Sequence, residues 1–135
     1  MLELFIDGAS AGNPGPSGVG IFIRGEGHLI HIAEPIEPTD NHLAEFIALR
    51  IALHEAKQLN TTFVRVYSDS QVVVDSFQRG KTKNKRFRPI LHEILTLADQ
   101  FDYCFVDWIP EKQNKAADQL ARRAIHLTER HVRKQ

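Results

Sequence analysis

The sequence predicts an α/β domain built on a five-stranded mixed sheet with helices on both faces. Three observations carry that expectation. Strand signals joined by glycine-rich turns open the chain, and helix and strand signals alternate after them. Two strands end in aspartate, Leu2–Ile6 before Asp7 and Phe63–Tyr67 before Ser68-Asp69-Ser70, and open α/β sheets build their sites at such carboxyl ends.

Leu2–Ile6 is too short for periodicity to separate strand from helix. The cluster of Gly8, Gly12, Gly15 and Gly18 with Pro14 and Pro16 excludes a helix through it, so it reads as a strand. Glycine and asparagine in the following loop let backbone amides approach an anion such as phosphate. No Gly-Lys-Ser/Thr follows, which excludes a Walker loop. Taken alone, Asp7-Gly8 is equally the opening of a turn.

Gly18–Arg24 and His28–Ala33 flank Gly25-Glu26-Gly27 as a hairpin, giving three consecutive antiparallel strands that Pro35 and Pro38 end. Asn41–Leu59 is rich in helix formers, with Asn41 as its cap. After the Phe63–Tyr67 strand, Ser70 caps a helix Gln71–Arg79 that Gly80 terminates. A charged linker follows, then a helix with Pro89 in its first turn that ends near Phe101. Tyr103–Ile109 is a final strand stopped by Pro110. Asn114 starts a last helix reaching the His131 region, where the tail HVRKQ is expected to fray. Right-handed crossovers set the first and fourth strands side by side and parallel, which brings Asp7 and Asp69 together.

At 135 residues the chain fits a single domain, residues 1–135, able to bury a core without metal or disulfide staples. Lys plus Arg (17) equals Asp plus Glu (17), so net charge indicates no polyanion partner and any such case rests on local clustering. Cys104 is the only cysteine and has no internal partner. Glu3 and Asp7 interrupt the N-terminal apolar stretch, and no run reaches membrane-spanning length. A cytoplasmic monomer with no membrane contact is expected.

Helical phase makes Glu45 informative. At about 100° per residue, Arg50, His54, Lys57 and Gln58 share one face, whereas Glu45 lies opposite, among Leu49, Ala52 and Ala56. A carboxylate aimed inward wants a basic side chain or a metal. The alternative is an acid near a helix start leaning to solvent, worth only ~0.3–1 kcal/mol through the helix dipole. Asp118 sits likewise in the first turn of the last helix, beside Ala117, Leu120, Ala121 and Ala124, where an N-terminal acid serving the helix dipole is again the alternative. Four carboxylates with no His or Cys among them would form an oxygen-only site. Such a site selects hard cations, Mg²⁺ or Mn²⁺, that relieve mutual repulsion. Acids sharing two metals ~3.5–4 Å apart are a means of attacking phosphodiesters with water.

DGASAGNPGPSGVG, DNHLAEFIAL, VYSDSQ and NKAADQLARRA resemble, in order and spacing, the four motifs of the type 1 ribonuclease H family, over essentially the whole chain. The resemblance implies the ribonuclease H-like fold, hydrolysis of the RNA strand of RNA–DNA hybrids, and two Mg²⁺ or Mn²⁺ ions. It also implies Asp7, Glu45, Asp69 and Asp118 as metal-binding catalytic acids. By the same match, Gly12, Asn13, Asn41, Ser70 and Gln71 fall where members touch the nucleic acid, side-chain amides being suited to a 2′-hydroxyl. Turn and capping chemistry is the alternative for Asn13 and Asn41. Many bacterial members carry a glycine-rich loop with a catalytic His before the last helix. Here only Pro110-Glu-Lys-Gln-Asn114 stands, so the chain resembles the shorter-loop members, and His42 replaces the second of the family's paired asparagines.

The basic stretch Arg79–Arg88, with Lys81, Lys83 and Lys85, occupies the place of a DNA-strand-binding protrusion, against the plainer reading of a solvated linker. Arg122, Arg123 and Arg130 either extend that patch or solvate a helix face, and the histidines show no metal-binding pattern. Two functions are therefore weighed, a metal-dependent endonuclease and a nucleic-acid-binding module of the same fold with little or no turnover. Retention of all four mutually repelling acids favours the enzyme.

Overall fold

The computed structural model describes residues 1–135. In chain order the elements are β1 (Leu2–Ser10), β2 (Gly15–Gly25), β3 (His28–Thr39), α1 (Asn41–Gln58), β4 (Phe63–Ser68), α2 (Gln71–Arg79), α3 (Arg88–Ala98), β5 (Tyr103–Trp108), α4 (Lys115–Ala124) and β6 (His131–Lys134), with a 3₁₀ turn at Glu111–Gln113 before α4. The sheet runs β5-β4-β1-β2-β3-β6. β1 pairs parallel with β4, and β4 with β5, while the other pairs are antiparallel. Ile6 lies opposite Ser68, so the next residue of each strand, Asp7 and Asp69, emerges at the same sheet end.

Period-2 alternation divides the sheet's faces. Leu2, Leu4 and Ile6 of β1 with Val19, Ile21 and Ile23 of β2 form the main core with Phe46, Leu49 and Leu53 of α1, Val73 of α2 and Ile94 of α3. The intervening β2 residues meet α4 on the other face. A Cβ on Gly20 would lie 2.2 Å from the Ala117 carbonyl oxygen, and one on Gly18 2.6 Å from the Ala124 Cβ, so only glycine lets α4 approach so closely. The β2–β3 turn holds two residues, Glu26 and Gly27, both at positive φ, as a tight hairpin requires.

Several sequence expectations change. The sheet has six strands, not five. The tail does not fray: Ala33 to Ile30 pair with His131 to Lys134, because the outer edge of β3 offers unpaired backbone groups that a short polar strand can satisfy. The last helix ends at Ala124 rather than near His131, closed by Leu127 N–H to Ala124 O (3.1 Å). β3 runs through Pro35 and Pro38 to Thr39, since β6 covers only residues 30–33 and a strand edge without a partner tolerates proline. Asp40, not Asn41, caps α1, its side chain accepting from Leu43 N–H at 3.0 Å. No helix is long and apolar enough to cross a membrane.

Candidate active site

A cavity of about 710 Å³ opens at the carboxyl ends of β1 and β4. Asp7, Glu45 and Asp69 converge in it, each with a carboxylate oxygen within 4.8 Å of the others. The meeting is set by backbone contacts. A Cβ on Gly8 would lie 2.4 Å from the Ala44 carbonyl carbon, so β1 and α1 touch here. That contact brings Gly8 N–H to Glu45 Oε1 at 2.5 Å, and Glu45 points inward as its helical phase requires. The same N–H lies 3.0 Å from Asp7 Oδ1.

Asn114, read from the sequence only as a helix start, is the third fixing point. It is buried, and its Nδ2 donates to Ile6 O (2.8 Å) and to Asp69 Oδ2 (3.2 Å), joining the ends of β1 and β4. Its main-chain O accepts from Asp118 N–H at 3.1 Å. One residue thus ties the strand end before Asp7, the Asp69 side chain and the Asp118 backbone. Trp108 Nε1 adds a bond to the Asp69 carbonyl at 3.2 Å. Asp118 lines the cavity but stands outside the tight group, with its Oδ1 3.1 Å from Arg122 Nε.

Electrostatics mark the group as unfavourable without a cation. Burial, a hydrogen bond with Glu45 and the charges of Glu45 and Asp69 push Asp7 up to about 11. Burial raises Glu45 to about 7 against its hydrogen bonds with Asp7 and Gly8. Asp69 is raised by burial, opposed by Asn114, and raised further by Glu111 and Asp118. None of the three is ion-paired with a basic side chain. An oxygen-only, acid-rich donor set of this kind fits a hard divalent cation.

Asn41, Ser70 and Gln71 line the cavity, whereas Gly12 and Asn13 form the β1–β2 tip outside the lining. Freed from capping, Asn41 uses its Oδ1 to accept from Ser10 N–H (2.9 Å), which leaves its amide hydrogens for a ligand. Gln71 Nε2 donates to Asp75 Oδ1 (3.0 Å), which leaves its carbonyl oxygen. Ser70 caps α2 through Val73 N–H at 3.3 Å. A second cavity, of about 910 Å³, adjoins the first and includes Lys81 and Lys83 but not Lys85. Phe87 of the basic stretch is buried against Phe46, ring centroids 4.7 Å apart, so it anchors the linker rather than offering a stacking face.

A family described as reverse transcriptase-like matches residues 5–124. The putative hydrolase EbsB of Enterococcus faecalis is 39% identical over 127 residues, covering 93% of this chain and 94% of that one. The solved ribonuclease H1 of the halophilic archaeon Halobacterium salinarum has a TM-score of 0.86 at 30% identity over 92% of this chain and 96% of that one. LC11 ribonuclease H1, solved in complex with an RNA/DNA hybrid, gives 0.85 at 28% identity, covering 93% and 96%. A longer bifunctional protein of Mycobacterium tuberculosis is 34% identical over 88% of this chain, which spans 34% of its length.

Proposed function

The chain belongs to the reverse transcriptase-like family that includes the type 1 ribonucleases H, and from that premise we propose a metal-dependent endonuclease that hydrolyses the RNA strand of RNA–DNA hybrids. The observation that carries the reading is the convergence of Asp7, Glu45 and Asp69, unpaired, on an open groove. In this reading those three and Asp118 are the catalytic acids, and they hold two Mg²⁺ or Mn²⁺ ions. Ions held there would supply an activated water and steady the leaving oxygen.

The remaining work falls to the chain. Gly8 N–H and the Asn114 amide hold Glu45 and Asp69 in place, so little reorganisation is needed when substrate arrives. Asn41 offers a donor and Gln71 an acceptor, complementary to a 2′-hydroxyl that both accepts and donates. That pairing supports selection of the RNA strand. Glu111 is the one charged side chain of residues 110–114 that lines the cavity, and its charge acts on Asp69. Lys81, Lys83 and Lys85 follow the DNA strand, with Gly12, Asn13 and Ser70 completing backbone contacts. The protein acts as a cytoplasmic monomer, one domain over residues 1–135.

End-labelled hybrid, DNA duplex and single-stranded RNA, each incubated with Mg²⁺ or Mn²⁺ and run on a denaturing gel, test this. Cleavage is expected only in the RNA strand of the hybrid. Tight hybrid binding with no cleavage in either metal would instead establish the binding module.

A further inference from the structure

The chain's ten arginines are unevenly paired. Arg24, Arg50, Arg65, Arg86, Arg122 and Arg130 each meet a carboxylate. The four without one fall in two places: Arg79 and Arg88 in the basic linker, and Arg123 and Arg133 in a cleft between α4 and β6. Linker arginines are accounted for by the hybrid. The second pair is not.

That cleft, of about 380 Å³, is lined by His31, Ala116, Gln119, Leu120, Arg123 and Arg133. Strand register builds it, because His31 on β3 lies opposite Arg133 on β6 and the two share a face. α4 supplies the opposite wall. Asp118 and Arg122 turn toward the acidic groove, while Gln119 and Arg123, each one residue further and so about 100° around the helix, turn toward the cleft. The two sites therefore use different sides of one helix.

We propose that this cleft is a binding site for a phosphate group, separate from the groove that holds the acids. No carboxylate lines it. Glu34, three residues along β3 from His31, is already engaged by Arg130 at 3.0 Å. Arg123 Nη2 instead lies 2.7 Å from His131 Nδ1, so a second imidazole stands beside the cluster. Like charges gathered without a counterion repel, and an anion placed among them removes that cost. Guanidinium forks match the paired oxygens of a phosphate. The His31 ring lines the cleft beside them and is held by packing on Phe22, ring centroids 4.7 Å apart. Burial and the fields of Arg133 and Arg123 hold His31 below the usual imidazole range, which shows that both guanidinium groups act on the same ring.

The volume exceeds that of one phosphate, so the remainder of a phosphorylated molecule has room beside the apolar Ala116 and Leu120. A free phosphate or small phosphorylated compound and the phosphate of a nucleic-acid end share this chemistry. Arg133 comes from β6 and His131 of the same strand meets Arg123, so the C-terminal strand that the sequence leaves without apparent purpose supplies one of the two guanidinium groups and holds the other.

The test is titration of the full chain with inorganic phosphate at constant ionic strength, followed by NMR of the His31 ring and by calorimetry, with a 5′-phosphorylated tetranucleotide and its unphosphorylated twin as further ligands. Saturable shifts at His31 are expected in wild type and in the Lys81→Ala/Lys83→Ala/Lys85→Ala variant. Affinity should fall roughly tenfold or more in Arg123→Gln/Arg133→Gln. Both arginines are exposed, and an unchanged amide spectrum elsewhere confirms the fold of that variant. Tighter binding of the phosphorylated tetranucleotide than of phosphate assigns the site to nucleic acid, and the reverse assigns it to small phosphates. A silent His31, or equal phosphate affinity in wild type and the double-glutamine variant, overturns the proposal.

Discussion

The acidic groove and the basic linker are neighbours, His42 and Val72 lining both cavities, yet they are held together in different ways. In the groove the fixing bonds span the chain: Gly8 to Glu45 is 37 residues apart, Asn114 to Asp69 is 45, and Asn114 to Ile6 is 108. In the linker most are local, with Asn84 N–H on Thr82 Oγ1 at 3.2 Å and Arg86 N–H on Asn84 Oδ1 at 2.9 Å. The Phe87 ring and the Arg86–Asp40 ion pair tie it to α1 and the cap before it. The contrast suits the two tasks proposed for them. Hydrolysis requires carboxylates fixed to a fraction of an ångström, whereas holding a polyanion requires charge density and tolerates movement.

The largest expected effect lies in the groove. Asp69→Asn keeps the shape of the side chain and removes its charge, so RNA cleavage in Mn²⁺ should fall by on the order of a thousandfold while hybrid affinity changes little. Single-turnover gels against wild type measure it, and cleavage at the wild-type rate would remove Asp69 from the reaction. Asn114→Ala comes next. It frees the Ile6 carbonyl and one Asp69 oxygen in a buried place, which should cost about 1–3 kcal/mol of stability and lower kcat by roughly tenfold or more with KM nearly constant. A rise in KM at unchanged kcat would mean that Asn114 shapes substrate binding instead.

A third outcome concerns pH. Asp7 and Glu45 bind protons more tightly folded than unfolded, so their contribution to stability is full below about pH 4 and is lost as pH rises. Glu45's share goes between its ordinary 4.5 and about 7, and Asp7's continues toward about 11. In EDTA the melting temperature should therefore fall by on the order of several degrees between about pH 5 and 8. Millimolar Mn²⁺, expected to bind the ionised native cluster, should abolish that fall. Equal melting curves with EDTA and with Mn²⁺ at about pH 8 would show that the acids share no cation. The linker carries no comparable buried acids, so its variants should leave this pH dependence intact.

How far each region is legible in the sequence follows the same division. Strand and helix order is readable because apolar runs, glycine turns and caps are local signals, and Glu45 is readable because helical phase is local too. Asn114 is not: its neighbours make it look like a helix start, and nothing near residue 114 announces a carbonyl at residue 6. Asp40 and Asn41 both suit a helix cap, and only the β1 end decides between them, by drawing Asn41 to Ser10 N–H. β6 escapes for another reason. All four of its residues are exposed and only Val132 is apolar, so the strand exists through backbone pairing with the edge of β3 and leaves almost no side-chain pattern. Composition locates the linker, since charge density is visible without a fold, but it gives no sign that Phe87 turns inward onto Phe46.

The smallest expected effect is in the linker. Replacing Lys81, Lys83 and Lys85 with alanine removes three charges from a mostly exposed segment that stands apart from the acids, so cleavage at saturating hybrid should stay near the wild-type rate. Affinity should weaken, and the slope of log affinity against log salt should flatten by roughly one unit or a little less for each phosphate that is no longer neutralised. Lys81 and Lys83 line the cavity and Lys85 does not, so the single variants Lys81→Ala and Lys83→Ala should each move the slope more than Lys85→Ala. Filter binding of the hybrid at several salt concentrations, with the Asp69→Asn protein as background to prevent cleavage, resolves differences of that size. An unaltered slope in the triple variant would make the stretch a solvated connector, whereas a slope change accompanied by a large loss of kcat would mean that the linker also helps align the scissile phosphate.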